Sequence, residues 1–187
     1  MFYSYFEHIA DLEGRQIIII SKIYDFFAPV PGDQYYIMDP HLDPVNSLQE
    51  PFRERKLENK NWSFLLAELA APESEFYIFT AQDVKGLTGI GKKPPYEIIN
   101  DGQLSGAKAN VCYYPRGRYN DFDIHDRYIL QENKSGVKGL HIGPSLDDIY
   151  NKDVSLTTFT PTGAESALKS FKSLWSECLK TKAWKKG

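Results

Sequence analysis

Two runs late in the chain, Ile124-His125-Asp126-Arg127-Tyr128-Ile129-Leu130 and Gly139-Leu140-His141-Ile142-Gly143-Pro144-Ser145-Leu146-Asp147, alternate β-branched and aromatic residues with polar ones. Between them lies Asn133-Lys134-Ser135-Gly136, a turn sequence. The pattern predicts two strands joined as a hairpin. This pair constrains the fold most, because it brings antiparallel pairing into a chain whose other elements alternate strand with helix. On a strand, residues i and i+2 share a face. His125 and Arg127 are therefore expected side by side, with Asp126 turned away. An imidazole beside a guanidinium is a start on a phosphate site: one group attacks or donates a proton, the other grips oxygens in a fork.

Upstream, apolar residues at 2, 5, 6, 9 and 12 have helical spacing, and Gly14 is expected to end that helix. Residues 15–27 fit either a buried strand, through four consecutive isoleucines, or a helix face through Ile20, Ile23, Tyr24 and Phe27. Tyr35 to Met38 reads as a buried strand stopped at Asp39-Pro40. Residues 41–60 read as a polar loop, Trp62 to Ala71 as a helix stopped by Pro72, and Glu75 to Thr80 as a strand. Residues 85–106, rich in Gly, Pro and Lys, read as a long loop. Ala109 to Tyr114 and Val154 to Phe159 read as further strands. The last element is a helix: Thr162-x-x-Glu165 has the form of a capping box, and residues 164, 167, 168, 171, 174, 175, 178 and 179 make one apolar stripe. The expected fold is α/β, a mixed β-sheet flanked by helices, in a single domain over 1–187.

Composition narrows the function classes. The 187 residues are 42% hydrophobic and 25% charged, which is ordinary for a globular chain, and the 14% aromatic share argues against disorder. A net charge of -3 supplies no global attraction to nucleic acid or anionic lipid, so any such binding needs a local basic patch. Two cysteines are too few for a disulfide framework; with no signal peptide in view they point to a reducing, cytoplasmic setting. Cys112 and Cys178 fall on core-facing positions and read as packed thiols. The longest apolar run, Ile17 to Ile20, is far too short to span a membrane.

The late motifs resemble the phospholipase D-like half-domain, which carries a His-x-Lys strand, an acidic residue further on, and a strand ending in Gly-Ser-x-Asn. Here His125-x-Arg127 is followed by Glu132 and then, after Gly143, by Ser145-x-Asp147. Tyr36-Ile37-Met38-Asp39-Pro40 is similar to the strand and Asp-Pro opening of that superfamily. The degenerate version at the C-terminus of microtubule-interacting-and-trafficking proteins is closer. It shares an Ile-His-Asp-Arg strand, a Gly-x-x-Ile-Gly-x-x-Leu-Asp segment and a Ser-Leu before the last helix. Uncharacterised bacterial proteins with His-Asp-Arg followed by His-x-Gly-x-Ser-Leu look similar too. The resemblance covers about residues 35–179 and implies a phospholipase D-like half-domain. In active members the histidine is the nucleophile and a second histidine from a paired half protonates the leaving group, so a chain with one motif must dimerise. The resemblance assigns that chemistry to His125, Arg127, Glu132, Ser145 and Asp147. Three departures weigh against it: Arg127 stands for Lys, Glu132 for Asp and Asp147 for Asn. Asp147 sets a carboxylate where a neutral amide would face a phosphate.

Simpler roles stand beside these. Arg127 could pair with Asp147, Asp148 or Glu132, and Glu132 also reads as a solvated residue at a strand end. His41 follows a strand end of the kind where open sheets place ligands, yet it also reads as an exposed loop histidine. His141 alternates with Gly143 and Ser145 and would approach His125 if the two strands pair. Two histidines without a third well-spaced ligand do not make a metal site, so no metal and no cofactor is expected. Arg116 and Arg118 among tyrosines fit either a rim for single-stranded nucleic acid or an ordinary solvated edge. The expected function is phosphodiester or phosphate recognition by a degenerate module within a larger assembly. The alternatives are a metal-independent phosphodiesterase or nuclease built as a homodimer with His125 as nucleophile, and a lipid-headgroup or protein docking domain.

Overall fold

The computed structural model describes residues 12–40, 60–82, 107–115, 127–143 and 155–180. Residues 2–11 of the expected helix over 2–12, residues 41–59 of the expected loop over 41–60, the loop at 85–106, and the first half of the His-Asp-Arg strand lie outside the described residues, while Lys60 already belongs to the following helix.

The first element is a helix, α1 (Leu12–Phe27). The choice between strand and helix for residues 15–27 falls to helix, and Gly14 lies inside it rather than ending it. The burial pattern gives the reason: Ile20, Ile23 and Phe27 are buried at helical spacing, whereas Ile18 and Ile19 are half-buried. Helix α1 closes at Ala28, whose N–H donates to the Tyr24 carbonyl and whose φ is +48°. Val30-Pro31-Gly32-Asp33 then turns the chain. The Asp33 N–H returns to the Val30 carbonyl, Pro31 fixes the second position and Gly32 takes φ +83°, the requirements of a type II turn.

Strand β1 (Gln34–Met38) follows, then α2 (Lys60–Leu69), β2 (Glu75–Gln82) and β3 (Lys108–Pro115). Strand β4 (Tyr128–Asn133) turns through Lys134-Ser135 into β5 (Gly136–Gly143), and β6 (Ser155–Thr158) leads into α3 (Pro161–Lys180). The strands form one sheet in the order β3-β2-β1-β4-β5-β6. Strands β1, β2 and β3 are parallel; β4 runs antiparallel to β1, and β5 and β6 continue antiparallel. The mixed sheet expected from a late hairpin added to a strand–helix series is present.

Alternation along β1 splits the core into two layers. Tyr35 and Ile37 face α1 and α2, packing with Ile23, Phe27, Leu65, Leu66, Leu69, Phe76 and Ile78. Tyr36 and Met38 face α3, packing with Phe79, Tyr128, Leu130, Leu168 and Phe171. Each fully buried side chain of this size contributes about 1.5–3 kcal/mol. Helix α3 begins earlier than the expected capping box. The Thr160 hydroxyl accepts from the Gly163 N–H, the Thr160 carbonyl accepts from Ala164, and Pro161 takes the first helical position. Thr162 and Glu165 are both exposed.

Candidate functional site

The three parallel strands end on one edge of the sheet, where β4 begins and β5 ends. Met38 is opposite Tyr128 in the register, so the next pair outward is Asp39 and Arg127. The backbones of both residues are tied into the sheet: the Asp39 N–H donates to the Phe79 carbonyl at 3.2 Å, and the Ile142 N–H donates to the Arg127 carbonyl at 2.8 Å. By parity with Ile37 and Ile129, both side chains lie on the α1/α2 face.

Arg127 Nε lies 3.7 Å from Asp39 Oδ1, with the arginine side chain 22% exposed and the aspartate 1%. The separation makes an ion pair but no hydrogen bond, and among the described residues the buried Nε has no hydrogen-bond partner. Thr80, fully buried at the same level of β2, completes a polar row across the ends of adjacent strands. A buried carboxylate beside a partly exposed guanidinium fixes a positive group at the strand ends, a group whose chemistry suits an oxyanion.

The structure separates residues that the sequence groups together. Glu132 is opposite Gln34 at the far end of β1, five residues along β4 from Arg127 and on the α3 face. At about 3.3 Å per residue it stands roughly 16 Å away along the strand. Its carboxylate accepts from the Tyr36 hydroxyl at 2.8 Å and pairs with Lys172 of α3 at 2.7 Å. Burial alone would raise the Glu132 pKa, but the Lys172 and Tyr36 hydrogen bonds and the Lys172 charge together outweigh it and hold the carboxyl below its usual range. Burial, and next the bond to Glu132, push the Tyr36 hydroxyl far up, so it serves only as a neutral donor. Burial and the neighbouring Glu75 likewise raise Tyr77 to about 12. The cluster ties α3 to the sheet and does not meet Arg127.

His141 is also turned away. It is opposite Tyr128 and Thr157, whose parity places it half-buried on the α3 face, beside Gly143. It cannot share the α1/α2 face with Arg127. His125, Ser145, Asp147, His41, Arg116 and Arg118 lie outside the described residues.

Asp39 is the site residue that sequence reasoning does not assign. In the sequence it is only the end of a strand before a proline, and the partners expected for Arg127 are Asp147, Asp148 or Glu132. The signal that finds Asp39 is the adjacency of β1 and β4, which no local pattern encodes. Among the described residues no group of three or more His, Cys, Asp and Glu side chains could hold a metal ion, and no helix is long and apolar enough to cross a membrane. No family model, curated protein or solved structure matches this chain.

Proposed function

We propose that the strand-end edge around Arg127 recognises the phosphate of a phosphodiester, and that the chain is a phospholipase D-like half-domain with a degenerate motif, acting as the binding or effector part of a larger assembly. The observation that carries this reading is the Arg127 guanidinium held beside the buried Asp39, 3.7 Å away, at the carboxyl end of β1. Strand β1 is the switch point of the sheet: the chain leaves it on one side towards β2 and β3 and later returns on its other side as β4. Open α/β sheets bind ligands in the crevice at such a point. The sequence supplies the rest of the expected site, since His125 lies two residues before Arg127 and Ser145 two after Gly143.

The test compares wild type with Arg127→Ala and His125→Ala, with EDTA present throughout. Binding of a short fluorescent single-stranded oligonucleotide and cleavage of single- and double-stranded DNA, RNA and a chromogenic diester are measured together. Binding that falls at least about tenfold in Arg127→Ala, without cleavage by any variant, is the expected result; one charge-assisted hydrogen bond is worth about that much. Cleavage lost in His125→Ala would replace the binding module with a metal-independent phosphodiesterase, and would require a dimer to supply the second histidine. Binding unchanged in Arg127→Ala would end the phosphate reading.

A further inference from the structure

We propose that Asp39 is a positioning residue for Arg127: its buried carboxylate holds the Nε side of the guanidinium so that the two Nη groups are left to grip a phosphate. This rests on the reading above, that Arg127 binds a phosphate oxygen. A guanidinium carries five N–H donors on distinct edges, one edge shared by Nε and an Nη, another formed by the two Nη groups. Nε is buried and lies 3.7 Å from Asp39 Oδ1. The exposed part of the side chain therefore lies elsewhere, and the donors that remain for an incoming ligand are the Nη groups. Asp39 and Arg127 extend from adjacent strands whose backbones are hydrogen-bonded into the sheet at this level, so the pair is set by the fold rather than by side-chain preference.

The arrangement gives a physical reason for arginine at this position. A lysine ammonium concentrates its donors on one atom and cannot face a carboxylate with one edge and a phosphate with another. A guanidinium already held loses less freedom when the ligand arrives, and immobilising one such side chain accounts for about a three- to tenfold change in affinity. The same carboxylate could instead compete with the phosphate for Arg127, in which case removing its charge would tighten binding. The two roles predict opposite signs.

Dimethyl phosphate is titrated into wild type, Arg127→Ala, Asp39→Asn and the double variant, and followed by heteronuclear NMR of the arginine side chains, with thermal melts as a check on folding. The positioning role predicts that the Arg127 Nε–H signal shifts on titration in wild type. It predicts about three- to tenfold weaker binding in Asp39→Asn, and a double variant that binds no worse than Arg127→Ala alone. Binding by Asp39→Asn as tight as or tighter than wild type overturns the proposal while leaving the phosphate reading intact, as do losses that simply add in the double variant. Unchanged binding by Arg127→Ala overturns the phosphate reading itself, and this proposal with it. Should Asp39→Asn not fold, wild type alone decides. An Nε–H buried against the carboxylate exchanges slowly with solvent and keeps its signal at neutral pH, and an Nε–H signal lost to fast exchange contradicts the proposal.

Discussion

Glu132 and Arg127 carry opposite charges along one strand run, and their surroundings give them different work. Glu132 accepts from Tyr36 and Lys172 and joins the last helix to the sheet. Its pKa is lowered in the folded protein, so its stabilising contribution is present above the unfolded carboxylate pKa and is lost as the pH falls through the lower folded one. The difference in melting temperature between wild type and Glu132→Gln should thus be largest near neutrality. It should shrink towards zero in stepped acid melts through and below the ordinary carboxylate range. A difference that stays constant down the series would show that the carboxylate charge is not what binds α3. On the other sheet face, Asp33 is comparably structural. Its Oδ2 accepts from the Val30 N–H at 2.9 Å and from Gln131 Nε2 at 2.6 Å, fixing the turn into β1.

Among the elements, two backbone positions are constrained in ways that the sequence does not announce. Ala28 ends α1 at φ +48°, the left-handed region where an alanine is strained and a glycine is not. Replacing Ala28 with Gly should stabilise the protein by about 1 kcal/mol, read as an upward shift of the denaturant midpoint at unchanged slope. Gly139 shows the reverse constraint. A Cβ there would meet Leu130 Cδ2 and Phe159 Cδ2, each at 2.8 Å, so the Phe159 ring packs directly over the bare strand. Gly139→Ala should cost about 1–3 kcal/mol by overpacking, and chemical denaturation measures it; an unchanged midpoint would mean the ring moves aside freely. Most elements are legible as patterns. The 3.6-residue stripe of α3 and the strand ending at Pro40 need only local sequence. What is not legible depends on contacts. The cap of α3 is Thr160 rather than Thr162, because Pro161 is better suited to the first helical position than to a place before the helix. The isoleucine run in α1 fits a strand as well as a helix because a consecutive apolar run carries no period until its burial is known.

Across the full sheet, a parallel half (β1, β2, β3) and an antiparallel half (β4, β5, β6) meet along β1 and β4. That seam brings Asp39 to Arg127 across a long stretch of sequence, which is why half of the candidate site can be read from a His-x-Arg strand and the other half cannot. The seam also separates what the motif grouping joins: strand parity sends His141 and Glu132 to the α3 face, and Glu132 to the opposite end as well. The functional reading stands or falls on whether this seam, through Arg127, holds a phosphate. The deciding experiment is the anisotropy of a short fluorescent single-stranded oligonucleotide, with wild type, Arg127→Ala and Lys172→Ala compared at one fixed salt concentration. Lys172 is an equal charge removed from α3, on the other face and engaged with Glu132. A phosphate held by Arg127 predicts at least about a tenfold loss of affinity for Arg127→Ala and no more than about a twofold loss for Lys172→Ala, which only lowers net charge. Equal losses in the two variants, or none in Arg127→Ala, would contradict it.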